Sequence, residues 1–305
     1  MDMSRSLLPS IFIILILFSL IGDLYAVDST PGEQKSSDKD NASFCASLTN
    51  EPDSLSGGRE QKIMRPFGWR RLGYDMKYVF TAPSRLEKKD LRNLLIFTGI
   101  TVALYVERKD IREIVLRNKT DSRYNFYQTM RNSGKAAFPP AVSLLFFASG
   151  KIRENDYDLE TAQIIMESFA LSSLVSGVGS FILATERPDE GDEIRFFRSG
   201  GHGVSGDVTI SSSVVFPIID RYLKVKQDDG TGKKIYKYAG QVLLFSLPIF
   251  TAMQRMSADK HWAPDVFLGA SIGLATGKML SNAHRKDRSS NVDVSVSAGM
   301  ITFTF

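Results

Sequence analysis

The sequence predicts an all-α protein, a helical bundle that ends in a short C-terminal β-strand or hairpin. Three observations predict it. Apolar runs recur at 91–107, 136–151, 157–185, 235–256 and 263–283, and runs of that length favour helix over strand. Apolar–polar alternation is clearest in "VDVSVSAGMITFTF", 292–305. There Val292, Val294 and Val296 share one face and, after a change of phase at Gly299, Ile301, Phe303 and Phe305 share another. Finally, 43% of the 305 residues are hydrophobic and Cys45 is the only cysteine, so a packed core rather than disulfides must hold the chain together.

Taken in order, the first segment is "MDMSRSLLPSIFIILILFSLIGDLYA". A basic residue, an apolar run and a small-residue ending read as a secretory signal peptide over 1–26, with an uncleaved anchor as the alternative. Residues 27–65 are rich in Ser, Asp, Lys, Gly and Pro and read as a disordered linker. Residues 74–90 read as a short extended piece, with Ser84 in it as a candidate helix cap. The helical domain covers 66–290, with the strand segment over 291–305. Within it, "VTISSSVVFPIID" (208–220) is short and β-branched, and its state is ambiguous from pattern alone. "KQDDGTGKK" (226–234) reads as a surface turn. The helical runs carry Ser, Thr, Gly, Gln or Glu, and mean hydropathy is −0.10. That favours a soluble or membrane-peripheral bundle over an integral one.

Composition also excludes functions. A net charge of +4 without a Lys/Arg cluster interleaved with aromatics gives no basis for nucleic-acid binding. No H-E-x-x-H, G-x-S-x-G, Walker A or strand-to-helix dinucleotide fingerprint is present. One Cys and three His cannot close a zinc site without carboxylates. The acidic run Glu186, Asp189, Glu190, Asp192 and Glu193 lacks EF-hand spacing and reads as a solvated loop. His284, in "NAHRKDRSS", reads as a surface residue at a helix end.

Three stretches carry the chemistry. "LATERPDE" (183–190) ends an apolar helix at Arg187-Pro188, and a Pro there stops the helix with Arg187 at its mouth. "RSGGHGVSG" (198–206) sets His202 among glycines whose amides can turn toward an anion. "RMSADKHWAPD" (255–265) spaces Arg255, His261 and Asp265. On a helix, an Asp four residues after a His lies on the same face. It fixes the tautomer of that His and leaves the other ring nitrogen free as a nucleophile or base. Pro264 suits a helix first turn.

Arg-Pro, then Gly-His, then Arg-x5-His-x3-Asp, in that order, resembles the signature of the type 2 phosphatidic acid phosphatase superfamily. That superfamily includes bacterial class A acid phosphatases and vanadium haloperoxidases, and the resemblance is to its exported bacterial branch. "HWAPDVFLGASIGLATG" is the most specific part, and the likeness covers roughly 90–282. The resemblance implies a helical bundle of the acid phosphatase/haloperoxidase type and a phosphatase needing no metal and no cofactor. It implies that His261 attacks phosphorus to give a phosphohistidine, that Asp265 orients it, and that His202 protonates the leaving oxygen. Arg187 and Arg255 would hold the phosphoryl oxygens, with the amides of Gly200 and Gly201 adding to them.

The implied substrate is a phosphomonoester or diphosphate, first of all of a lipid, or else a small phosphoester. The implied setting is a membrane surface in the periplasm or envelope. Three departures stand against the pattern: Ser180 where the family has Lys, Gly200 where it has Ser, and Gln254 where it has Ser. Arg198 and Arg195 are candidates to replace the lost charge. The departures keep open a second reading, a weak or inactive relative that binds phospholipid or serves a structural role in the envelope. The lost Lys and the modest length argue against a haloperoxidase.

Overall fold

The structure, a computed structural model, describes residues 69–85, 88–289, 293–297 and 300–304. The expected signal peptide, the linker and Cys45 lie outside the described residues. The fold is all-α, as the apolar runs require, with two small antiparallel hairpins.

Helix α1 (Trp69–Phe80) takes the first part of the expected extended piece. Its period was present in the sequence: Leu72, Met76 and Val79 recur at helical spacing. Met76 and Val79 pack on Ile164, Leu171 and Leu280. Ser84 caps no helix there; its hydroxyl donates to Thr81 O within a 3-10 turn over Ala82–Arg85. Helices α2 (Lys88–Val106), α3 (Arg108–Arg117) and α4 (Asp121–Met130) follow. Thr120 caps α4 by accepting the Arg123 N–H.

After a 3-10 turn (Arg131–Gly134) come α5 (Phe138–Ile152), with two prolines in its first turn, and α6 (Asp156–Ile182), capped by Asn155. The ambiguous run 208–220 is helical. It forms α7 (Gly206–Ser213), α8 (Val215–Ile218) and the start of a π turn (Ile219–Leu223). Its serines would ordinarily compete with helix. Here Ser211 and Ser212 donate to Val208 O and Ser213 donates to Ile210 O, so the hydroxyls are satisfied inside the helix. Helix α9 (Thr231–Ser257) and helix α10 (Ala263–Ser289) complete the bundle.

Helix α10 runs through the middle, against α6 and α7. Its Gly269, Gly273 and Gly277 form the contact line. An added Cβ would lie 2.5 Å from Ser205 O at Gly269, 2.4 Å from Thr209 O at Gly273 and 2.9 Å from Pro217 Cδ at Gly277. Only bare backbone lets α7 come this close. The main core joins Val208, Phe216, Ile249, Met253, Phe267 and Leu274. Each such side chain contributes about 1.5–3 kcal/mol on burial.

The end of α6 departs from expectation. Pro188 does not stop the helix; the helix ends at Ile182, and the chain runs on into β1 (Leu183–Thr185). That strand pairs antiparallel with β2 (Ile194–Phe196), Leu183 opposite Phe196 and Thr185 opposite Ile194. The hairpin moves Arg187 onto a loop beyond the helix. At the C-terminus, β3 (Asp293–Ser297) pairs with β4 (Met300–Thr304), matching Val294 with Phe303 and Val296 with Ile301.

Much of the outer surface is apolar. Leu95 on α2, Leu145 on α5, Leu174 on α6 and Leu243 on α9 are each more than 60% exposed, and faces of this kind mark contact with lipid or protein. Among the described residues one helix, α6, is long and apolar enough to cross a membrane.

Candidate active site

Three loops meet at the N-terminal end of α10. His261 lies just before that helix, 8% exposed. Its pairing with Asp265 is therefore not the same-face contact of a continuous helix. Asp265, almost fully buried in the first turn, caps that turn by accepting the Trp262 N–H at 2.9 Å on Oδ2. The same oxygen stands 3.6 Å from His261 Nδ1, too long for a direct hydrogen bond. The nearer partner of Nδ1 is the His202 carbonyl at 3.2 Å. Both neighbours are acceptors, so in the neutral ring the proton sits on Nδ1 and Nε2 carries the lone pair.

The second loop brings His202 to His261, with ring centroids 6.2 Å apart in an edge-to-face arrangement. Its backbone is pinned, since His202 N–H donates to Thr185 O at 3.1 Å. Gly201 presses on the end of α6, where a Cβ would sit 2.3 Å from Ser180 O, so no larger residue fits. Gly200 has φ +78°, a left-handed conformation that costs a side-chain-bearing residue. Among the described residues, the Gly200 and Gly201 amides donate to no backbone carbonyl. Burial first, then the charges of Arg187 and His261, hold the His202 imidazole below its ordinary proton affinity.

Arg187 reaches the site from the loop after β1. Its Nη1 is 3.4 Å from Glu190 Oε1 and its buried Nε has no hydrogen-bond partner. Arg255, in the last turn of α9, is mostly buried; its Nη1 is 3.5 Å from Asp207 Oδ2 and its Nε likewise lacks a partner. Arg187 lies close enough to both His202 and Arg255 for its charge to act on them, so the three side chains share one positive neighbourhood. All seven residues singled out by sequence thus come from these three loops and the helix ends beside them.

Two residues of the cluster were not singled out. Arg131 Nε donates to Asp207 Oδ2 at 2.7 Å, so Asp207 holds Arg131 and Arg255 together. Arg131 comes from a 3-10 turn 76 residues away from Asp207, and no motif spacing could have pointed to it. The departures from the family pattern are also accounted for locally. Ser180 faces the second loop and donates to Val204 O at 3.1 Å, and Gln254 donates to Gln128 Oε1 at 2.7 Å. Arg195 supplies no free charge, because it pairs with Glu186 and Glu193. Arg198 lines a cavity of about 180 Å³ with Glu186, Glu190, Gly200, Gly201 and His202. His261, Arg187 and Arg255 do not line that cavity.

The acidic loop is exposed at Asp189, Glu190, Asp192 and Glu193, as its composition suggests, but it is also tied down. Asp189 pairs with Lys260 and Asp192 with Lys109, while Trp262 Nε1 donates to Glu186 O at 3.0 Å. These ties fix the Arg187 loop against α3 and the approach to α10.

No protein-family model and no curated protein matches this chain. Among solved structures the chain is similar to the crystal structure of "the first transmembrane PAP2 type phosphatidylglycerolphosphate phosphatase from Bacillus subtilis". The identity is 12% and the TM-score 0.45, over 73% of this chain and 98% of that chain. At that score the likeness carries no weight for function, which rests on the residues themselves.

Proposed function

We propose that this chain is a histidine phosphatase of the type 2 phosphatidic acid phosphatase kind. It hydrolyses a phosphomonoester or diphosphate, of a lipid in first place, without a metal ion. The observation that carries the reading is the convergence of His261, His202, Arg187 and Arg255, with Nδ1 of His261 committed to acceptors and both arginine Nε atoms unpartnered. A phosphoryl group asks for such a set: one nucleophile, one acid, and planar cations for its equatorial oxygens.

In this reading His261 Nε2 attacks phosphorus and a P–N bond forms as the P–O bond breaks. His202 gives its proton to the leaving oxygen. Arg187, Arg255 and the amides of Gly200 and Gly201 stabilise the charge on the transferring group. Asp265 steadies the His261 imidazolium. Water then cleaves the P–N bond, with His202 taking the proton back. Arg131, held with Arg255 by Asp207, adds a second guanidinium on the Arg255 side of the site. The outward apolar faces favour an envelope membrane as the place of work, and a lipid as the bearer of the phosphate.

The test is phosphate release from p-nitrophenyl phosphate and phosphatidate by the purified protein in detergent, with EDTA, beside His261→Ala. Release that resists EDTA and vanishes in the variant is expected. No release from folded protein would sink the catalytic reading in favour of a phospholipid-binding relative. Ser180 and Gly200 would then be the cause.

A further inference from the structure

A second buried histidine sits at the other end of α10, about 28 Å along the helix from Asp265 at 1.5 Å per residue. The structure overturns the reading of His284 as a surface residue: it is 0% exposed. Three carboxylates from two other helices surround its ring. Glu160 Oε1 on α6 lies 2.7 Å from Nδ1, Asp75 Oδ2 on α1 lies 2.9 Å from Nε2, and Glu167 Oε2 on α6 lies 3.9 Å from Nε2. Ligand atoms of Asp75, Glu167 and His284 all fall within 4.8 Å of one another. Atoms bound to one ion at about 2.0–2.2 Å stand about 3–4 Å apart, so this spacing suits a shared cation.

Two features set the cluster apart from an ordinary buried ion pair. Glu167 Oε2, Asp75 Oδ1 and His284 Nε2 are buried and make no hydrogen bond. Nε2 in particular is close to Asp75 Oδ2 without the N–H direction a hydrogen bond requires. Leaving such atoms unsatisfied is costly. The surrounding groups, in turn, orient the three residues. Glu160 accepts at Nδ1 and is itself held by Arg221 at 2.8 Å. Gln163 donates to Glu167 Oε1, and Arg71 Nε sits 3.2 Å from Asp75 Oδ2. A carboxylate on one ring nitrogen, with the other turned inward, is how metal-binding imidazoles are fixed.

We propose that Asp75, Glu167 and His284 hold a divalent transition-metal ion that staples α1 to α6 and α10. One imidazole with two carboxylates suits Zn²⁺ or Mn²⁺. The role is structural and does not rest on the phosphatase reading.

The experiment is metal analysis of the full chain, purified in detergent without chelator and then exposed to Zn²⁺ or Mn²⁺. About one ion per chain is expected, with a melting temperature that falls on chelation and returns with the metal. Glu167→Gln, which keeps the side chain's shape, should lose the ion. Should that variant fail to fold, stripping and reloading the wild-type protein gives the same readout. A folded wild-type protein that takes up neither metal, with a melting temperature indifferent to chelator, overturns the proposal.

Discussion

His261 lies just before α10 and His284 within its C-terminal part, and both are buried, but they are built in opposite ways. His261 draws its surroundings from the second loop and from the chain just around it. Asp265 is four residues on, Trp262 is adjacent, and the His202 carbonyl comes from the second loop. His284 draws its partners from far away: Glu160 is 124 residues back and Asp75 lies on the first described helix. The first site keeps two buried arginine Nε atoms without hydrogen-bond partners. The second is sealed, and its unpaired atoms face one another. His261 engages Nδ1 with the His202 carbonyl, whereas His284 has Nδ1 on Glu160 and Nε2 enclosed by the carboxylates of Asp75 and Glu167.

The sharpest break between the two is expected from deletion of each ring. His261→Ala should lower phosphate release by about 10⁴-fold or more, because groups that act as one catalytic unit fail together. Circular dichroism should show the fold intact. His284→Ala should act on stability instead. Removing one partner of a buried charged network costs about 3–5 kcal/mol, readable as a large drop in denaturation midpoint. If His284→Ala left that midpoint unmoved, the sealed cluster would not hold the helices together.

Arg187→Ala and Arg255→Ala come next. Each removes a charge-assisted contact worth about 1.5–3 kcal/mol, so kcat/KM should fall by roughly 10–10²-fold. A smaller effect sharpens the role of His202. Its pKa lies below the ordinary 6.5, through burial first and the charges of Arg187 and His261 second. The acid form is therefore lost as pH rises through that lowered value, and kcat/KM should fall along the same limb. Arg187→Gln removes a neighbouring positive charge, so whatever activity remains should show the limb moved to higher pH. A limb that stays in place would remove His202 from the proton transfer. The smallest change is expected from Asp207→Asn, which loosens Arg131 and Arg255 without removing either. A loss of a few-fold in kcat is the expected reading, in keeping with about one ordinary hydrogen bond.

The sequence made the first site legible because its parts are short motifs. Arg255, His261 and Asp265 lie within one stretch, and the glycines around His202 announce a backbone-lined loop. It did not show that Arg187 would leave the helix end for a loop behind a β-hairpin, since Arg-Pro reads equally well as a helix stop. Nor did it show Arg131, whose only link to the site is Asp207. It misread 74–90 as extended because charged residues interrupt an apolar spacing that is nevertheless helical in Leu72, Met76 and Val79. His284, among Asn, Arg, Lys and Asp, had every local mark of an exposed residue.

The amino-acid sequence by itself determined the helical class, the spacing of the glycines along α10, and the order of the motifs. All of these follow from composition and spacing within single segments, where neighbours along the chain are neighbours in space. The tertiary structure alone decided which cations share Asp207, which face of each helix is left apolar and outward, and that His284 is enclosed by Asp75, Glu160 and Glu167. The physical reason is that burial and charge pairing act through distance in space. Side chains separated by more than a hundred residues meet only after the helices have packed.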